Sequence, residues 1–165
     1  MTAEELILQT LHNSTLTEEL RDAEIDALAN IITIREYKAG EAIIEPGNNS
    51  LKDTLLILAM GDVEATAVTG GEKMTLHMLK PGDLAGIIGF VGGTATQISA
   101  TVIAKSDSKV LLLDRVRFES LLNTQPAIVY YVMRGIVRHV HGIVRRMNMQ
   151  SVEMSNYIFQ QGGRY

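Results

Sequence analysis

Four histidines and one uncharged, glycine-rich stretch are the parts of this 165-residue chain whose residue types suit chemistry. Imidazoles bind metals and move protons near neutral pH. A metal inside a β-barrel needs at least two histidines and a carboxylate converging from neighbouring strands. Of His12, His77, His139 and His141, only His77 falls in a β-rich run, where it alternates away from Met74, Leu76 and Met78. His139 and His141 are two apart on a helical stretch, about 200° around its axis, and cannot share a ligand. No metal centre is expected. The chain has no cysteine, which removes disulfides, thiolate-ligated zinc, cysteine-held iron–sulfur clusters and thiol nucleophiles together. There is no nucleophile elbow, no Walker loop and no histidine–carboxylate pair at informative spacing. An enzyme is not expected. The uncharged stretch runs from Leu84 to Val102 without an Asp, Glu, Lys or Arg. Gly86, Gly89, Gly92 and Gly93 can expose backbone N–H groups there, with Thr94, Thr96, Gln97 and Ser99 as neutral donors.

The elements that must position these groups are legible from periodicity. Residues 1–30 read as helical, with Leu20, Ala27, Leu28 and Ile31 on one face and Thr15–Glu18 as a capping box. From 31 to 114 the texture is β-rich, in runs at 31–38, 41–45, 54–60, 62–68, 73–79, 84–90, 97–104 and 109–113. Turn signals separate them. Pro81-Gly82 suits a type II turn, because proline presets φ and glycine accepts a positive one. Gly70-Gly71 reads as a hairpin. Eight strands at regular spacing predict a jelly roll, sandwich or barrel rather than βαβ units. Residues 115–160 are helical again: a short amphipathic piece, then a long helix opened by Pro126. The fold class is α+β, mainly β: an eight-stranded double-stranded β-helix, or jelly roll, flanked by an N-terminal helix and a long C-terminal dimerisation helix.

On the long helix Val129, Met133, Ile136, Val140, Ile143 and Met147 step by four and three, a heptad seam. A helix of about 25–30 residues is too long to lie wholly on one small roll. Its free end wants a partner, most simply the same helix of a second copy, so a homodimer through Met133, Ile136, Val140, Ile143 and Met147 is expected.

Charge follows the same division. Residues 1–125 carry 18 acidic and 10 basic residues, whereas residues 126–150 carry four arginines and no acid. The whole chain is at −4, which favours neither nucleic acid nor an anionic membrane. Arg134, Arg138 and Arg145 read as solvated flanks of the seam. The N-terminus is acidic where a signal peptide is basic, and apolar runs such as 55–60 stay far below the roughly 18 residues of a membrane span. A soluble, cytoplasmic protein is the expectation.

Order and residues together resemble the cyclic nucleotide-binding domain of the catabolite-activator type, over roughly residues 15–150. Leu16–Leu20 is similar to that family's first helix, and Arg35–Glu41 and Pro46-Gly47 to its first two glycine turns. Leu55–Glu64 is similar to the strand–glycine–strand element that follows. Pro81-Gly82-Asp83, Ala100–Ala104, and Asp114-Arg115 with Phe118 match a further turn, a strand and the start of the short helix. The resemblance implies a small-molecule ligand, a cyclic nucleotide, between roll and long helix, held by a helix-and-loop phosphate cassette. It implies Gly86, Ile87, Ile88, Gly89, Gln97, Ile98 and Ser99 as the cassette positions, and a hinge around Thr124–Pro126. Backbone N–H groups at a helix start suit such a phosphate.

The cassette departs from the pattern where charge is needed. The glutamate that binds the ribose hydroxyl in the family falls at Ile87. The arginine that neutralises the phosphate falls at Ile98 or Gln97. A buried phosphate without a charged partner costs several kcal/mol, which a bidentate arginine normally offsets. The helix positions that meet the base in the family fall near Ile143-Val144, which are apolar. The expectation is a non-catalytic regulatory or sensor domain with weakened or lost cAMP and cGMP binding. The alternatives are a haem or other small-molecule sensor on the same scaffold, or a ligand-free dimerisation module. About fifteen residues follow Gln150, too few for the DNA-binding module that transcription factors of this type carry.

Overall fold

The structure is a computed structural model and describes residues 1–92 and 100–162. Helix α1 (Ala3–His12) opens on Thr2, whose hydroxyl accepts from the Glu5 N–H while the Glu5 carboxylate accepts from the Thr2 N–H, at 3.1 and 2.7 Å. The single helix read from Thr15 is instead two pieces. Ser14 caps a 3₁₀ turn (Thr15–Thr17) by accepting from the Leu16 N–H, and α2 (Asp22–Ala29) restarts where Glu24 accepts from the Arg21 N–H at 3.0 Å. The break has a packing cause. Leu11 and Leu16 are both fully buried, and the tight turn drops them into one core while the Thr17 hydroxyl donates to the Leu11 carbonyl.

Eight strands follow, as the turn signals predict: β1 (Thr33–Tyr37), β2 (Ala42–Ile44), β3 (Thr54–Met60), β4 (Val63–Thr69), β5 (Glu72–Leu79), β6 (Leu84–Ala85), β7 (Ala100–Ala104) and β8 (Ser108–Asp114). They form two antiparallel four-stranded sheets, ordered β1-β8-β3-β6 and β2-β7-β4-β5. The run read as a strand at 84–90 is a strand only at its first two residues, because Ile87–Val91 forms a short helix, α3.

The apolar runs in β3 and β8 are continuous because both faces of that sheet are covered. Successive side chains point to opposite faces. Leu56, Leu58, Val110 and Leu112 fill the interior of the roll with Ile43, Val63, Leu79 and Val102. Leu55, Ile57, Leu111 and Leu113 face outward into a second core under the helices, with Leu11, Leu16, Leu28 and Phe90.

Helix α4 (Arg115–Glu119) and a 3₁₀ turn (Ser120–Asn123) lead into α5 (Pro126–Gly162), 37 residues long and about 55 Å from end to end. Ile128, Val132 and Ile136 lock the first turns of α5 into the second core. Gly135 lets the 3₁₀ turn approach: a Cβ there would stand 2.6 Å from the Leu16 carbonyl oxygen. Arg134 and Arg138 flank this contact and not a free seam, whereas Arg145 is exposed further along α5. Arg134 and Arg138 each reach Glu19 at 2.8 Å, and Arg138 also reaches Glu18 at 3.1 Å.

The structure takes Ile136 out of the expected seam. Ile136 is 2% exposed inside this chain's own core, Met133 packs partly against that core, and Ile143 is half-buried. Val140 and Met147 remain exposed. Past Ile143 every residue of α5 up to Gln160 is exposed. No helix of the described residues is long and apolar enough to cross a membrane.

Candidate ligand-binding site

The cassette positions begin at the end of β6. Gly86 precedes α3 with φ +75°, a left-handed conformation that side chains rarely adopt, and a Cβ would also meet the Thr54 carbonyl oxygen at 2.8 Å. Gly89 faces the Lys52 backbone so closely that a Cβ would overlap the Lys52 carbonyl oxygen. These two contacts seat α3 on the end of β3 and on the loop before it.

That seating decides what the next side chains can do. Ile87 packs partly buried against the helical core, and Phe90 is 2% exposed with its ring tilted against Phe118 of α4, centroids 5.4 Å apart. Ile88 is exposed. Gln97, Ile98 and Ser99 lie outside the described residues, as do Gly93, Thr94 and Thr96.

No described residue of the cassette is ionisable. A cation does stand close by: the guanidinium of Arg115, at the start of α4. A Cβ on Gly92 would meet its Nη1 at 2.5 Å, and Nη1 donates to the Gly89 carbonyl at 3.5 Å. Arg115 is otherwise held by carboxylates, Asp53 at 3.3 Å and Glu119 at 3.9 Å. Its charge is compensated, and it ties the end of α3 to α4. The sequence around Arg115 carries no sign of this role, because Asp53 and Gly89 lie 62 and 26 residues upstream.

Three of the histidines are placed by the long helix and the roll. His77 of β5 lies 3.5 Å from Asp83, and His139 of α5 is half-buried within electrostatic range of both. His141 is exposed on α5, and His12 is exposed at the end of α1. Among the described residues no group of three His, Cys, Asp or Glu side chains could hold a metal ion.

With this geometry in hand, comparison with known proteins places the chain. The family model of the cyclic nucleotide-binding domain matches residues 34–125, and the chain belongs to that family. A cyclic nucleotide-binding domain from Methylobacillus flagellatus superposes with a TM-score of 0.78 at 17% identity, covering 92% of this chain and 83% of the other. The catabolite activator protein of Thermus thermophilus superposes with a TM-score of 0.67 at 26% identity, covering 84% and 63%. Among curated proteins, the neuropathy target esterase sws of Drosophila erecta is 23% identical over 167 residues, 96% of this chain. The chain spans only 11% of that relative's length. The likeness therefore concerns a cyclic nucleotide-binding regulatory domain.

Proposed function

We propose that this domain is a non-catalytic regulatory module whose phosphate cassette has lost its charge, so that cAMP and cGMP bind weakly or not at all. One observation carries the reading. Ile87, at the position where the family places a glutamate, is packed against the helical core beside Phe90, and no free cation stands at the described part of the cassette. A cyclic phosphate entering there would lose its hydration without gaining a charged partner. The filling of the roll interior by Ile43, Leu56, Leu58, Val63, Leu79 and Val102 supports the same reading. Calorimetry with cAMP and with cGMP tests it: no binding heat is expected at tens of micromolar, and micromolar affinity for either would overturn it.

The exposed face of α5 favours a dimerising role beside this. Tyr130, Val137, Val140, Val144, Met147 and Ile158 are exposed and fall on a three–four heptad spacing with Met133 and Met154, interrupted by a serine at 151. The stripe contains no charged residue, so a second copy of the same helix can lie against it without like-charge repulsion. Sedimentation should report about twice 18.1 kDa. A monomer at tens of micromolar would exclude the dimer. The esterase activity named for the curated relatives belongs to those longer proteins. For this chain the proposed role is to regulate or to join.

A further inference from the structure

The point where α5 leaves the body of the protein is marked by two imidazoles and one carboxylate drawn from three elements. His77 comes from β5 and Asp83 from the turn between β5 and β6. His139 comes from α5, five residues before the helix becomes exposed on all sides. Asp83 is held rigidly. Its carboxylate accepts from the Lys80 N–H at 2.9 Å, its carbonyl accepts from the Leu58 N–H at 3.0 Å, and the Ser14 hydroxyl donates to the neighbouring Gly82 carbonyl at 3.2 Å. The Nε2 atoms of His77 and of His139 are both buried and neither makes a hydrogen bond, although His77 Nε2 lies 3.5 Å from the Asp83 carboxylate. A buried polar atom without a partner is costly to keep, and it is where added protons change the balance most.

We propose that this trio is a proton-operated joint: protonation frees the α5 turn at 139–143 from the roll and shifts where the long helix leaves the body. With both imidazoles neutral the trio carries −1. One proton makes it neutral, and a second makes it +1 on a half-buried surface. His139 is the group that resists that second charge. Burial lowers its pKa below the ordinary 6.5, His77 and Arg146 lower it further, and only Asp83 opposes them. The sign follows by linkage. The undocked imidazole takes up a proton at the ordinary value and the docked one only at a lower pH, so undocking binds protons. Docking of this turn is therefore strongest above about pH 6.5 and weakens as the pH falls from there toward the lowered docked value. Ile128, Val132 and Ile136 keep the earlier turns seated in the core, so the change is confined to the exit of the helix. The joint is independent of what the cassette binds.

The chain has no cysteine, so a pair introduced as Lys73→Cys in the β4–β5 hairpin and Asn148→Cys on α5 takes two spin labels cleanly. Diluted into excess unlabelled protein, the pair reports the angle of α5 to the roll within one chain. Electron–electron double resonance should give a distance distribution at pH 5.5 that is broader and displaced from that at pH 7.5. His139→Gln, which cannot be charged, should abolish the difference. The same distribution at both pH values, or an undiminished change in His139→Gln, would overturn the proposal. If His139→Gln fails to fold, histidine titration of the wild type by NMR decides. His139 titrating below the ordinary value is expected, and titration at or above that value removes the joint.

Discussion

At the residue scale, the cassette is built by two close approaches, and both are testable without a ligand. Gly89→Ala places a methyl group against the Lys52 carbonyl, which neither backbone can yield. It should cost about 1–3 kcal/mol of stability by urea denaturation. An unchanged midpoint would mean that α3 does not sit on the Lys52 loop. Glu19 supplies a pH-dependent term. Hydrogen bonds from Arg134, then from Arg138, hold its carboxyl below the ordinary 4.5. A carboxylate whose folded value is depressed contributes stability above its unfolded value and loses it as the pH falls through the folded one. The stability difference between wild type and Glu19→Gln should therefore be present at pH 6 and shrink below about pH 4.5. A difference that does not shrink as the pH falls below about 4.5 would contradict the arginine clamp.

At the element scale, α5 has one face seated in this chain's own core and one exposed face, for which a second copy is the proposed partner. Ile136→Ala removes a core side chain and should cost about 2–5 kcal/mol. Val137→Asp, one residue on, sits at 65% exposure. It should leave the thermal unfolding of the protomer nearly unchanged while shifting sedimentation from dimer to monomer. If Val137→Asp remains dimeric, the stripe is not the seam. The heptad spacing itself was visible in the sequence, but its register was not. The two readings share Met133, Val140 and Met147, and they differ in whether 129, 136 and 143 or 130, 137 and 144 complete the stripe. Docking of Ile128, Val132 and Ile136 on the first helices settles that Ile136 faces inward, a contact more than a hundred residues away in sequence from Leu16.

At the scale of the whole molecule, the protein has two cores sharing one sheet, with a helix that outruns both. Truncation after Met147 removes turns of α5 whose residues are exposed up to Gln160. The shortened chain should keep its cooperative melt and its strand signal by circular dichroism, and lose dimer affinity. A loss of folding would show that the distal helix contributes to the cores. The sequence by itself determined the strand count, the turns at Gly70-Gly71 and Pro81-Gly82-Asp83, the long helix opened by Pro126, and the uncharged cassette. These are local: a turn needs its glycine and proline, a strand its apolar run, and a missing charge is missing in any conformation. Tertiary structure alone decided the helix at Ile87–Val91, the break ahead of α2, the inward face of α5, the tie from Arg115 to α3 and the approach of His77 to Asp83 within electrostatic range of His139. A short apolar run suits strand or helix equally until a neighbouring backbone seats it. Side chains from separate elements become partners only once the cores bring those elements together.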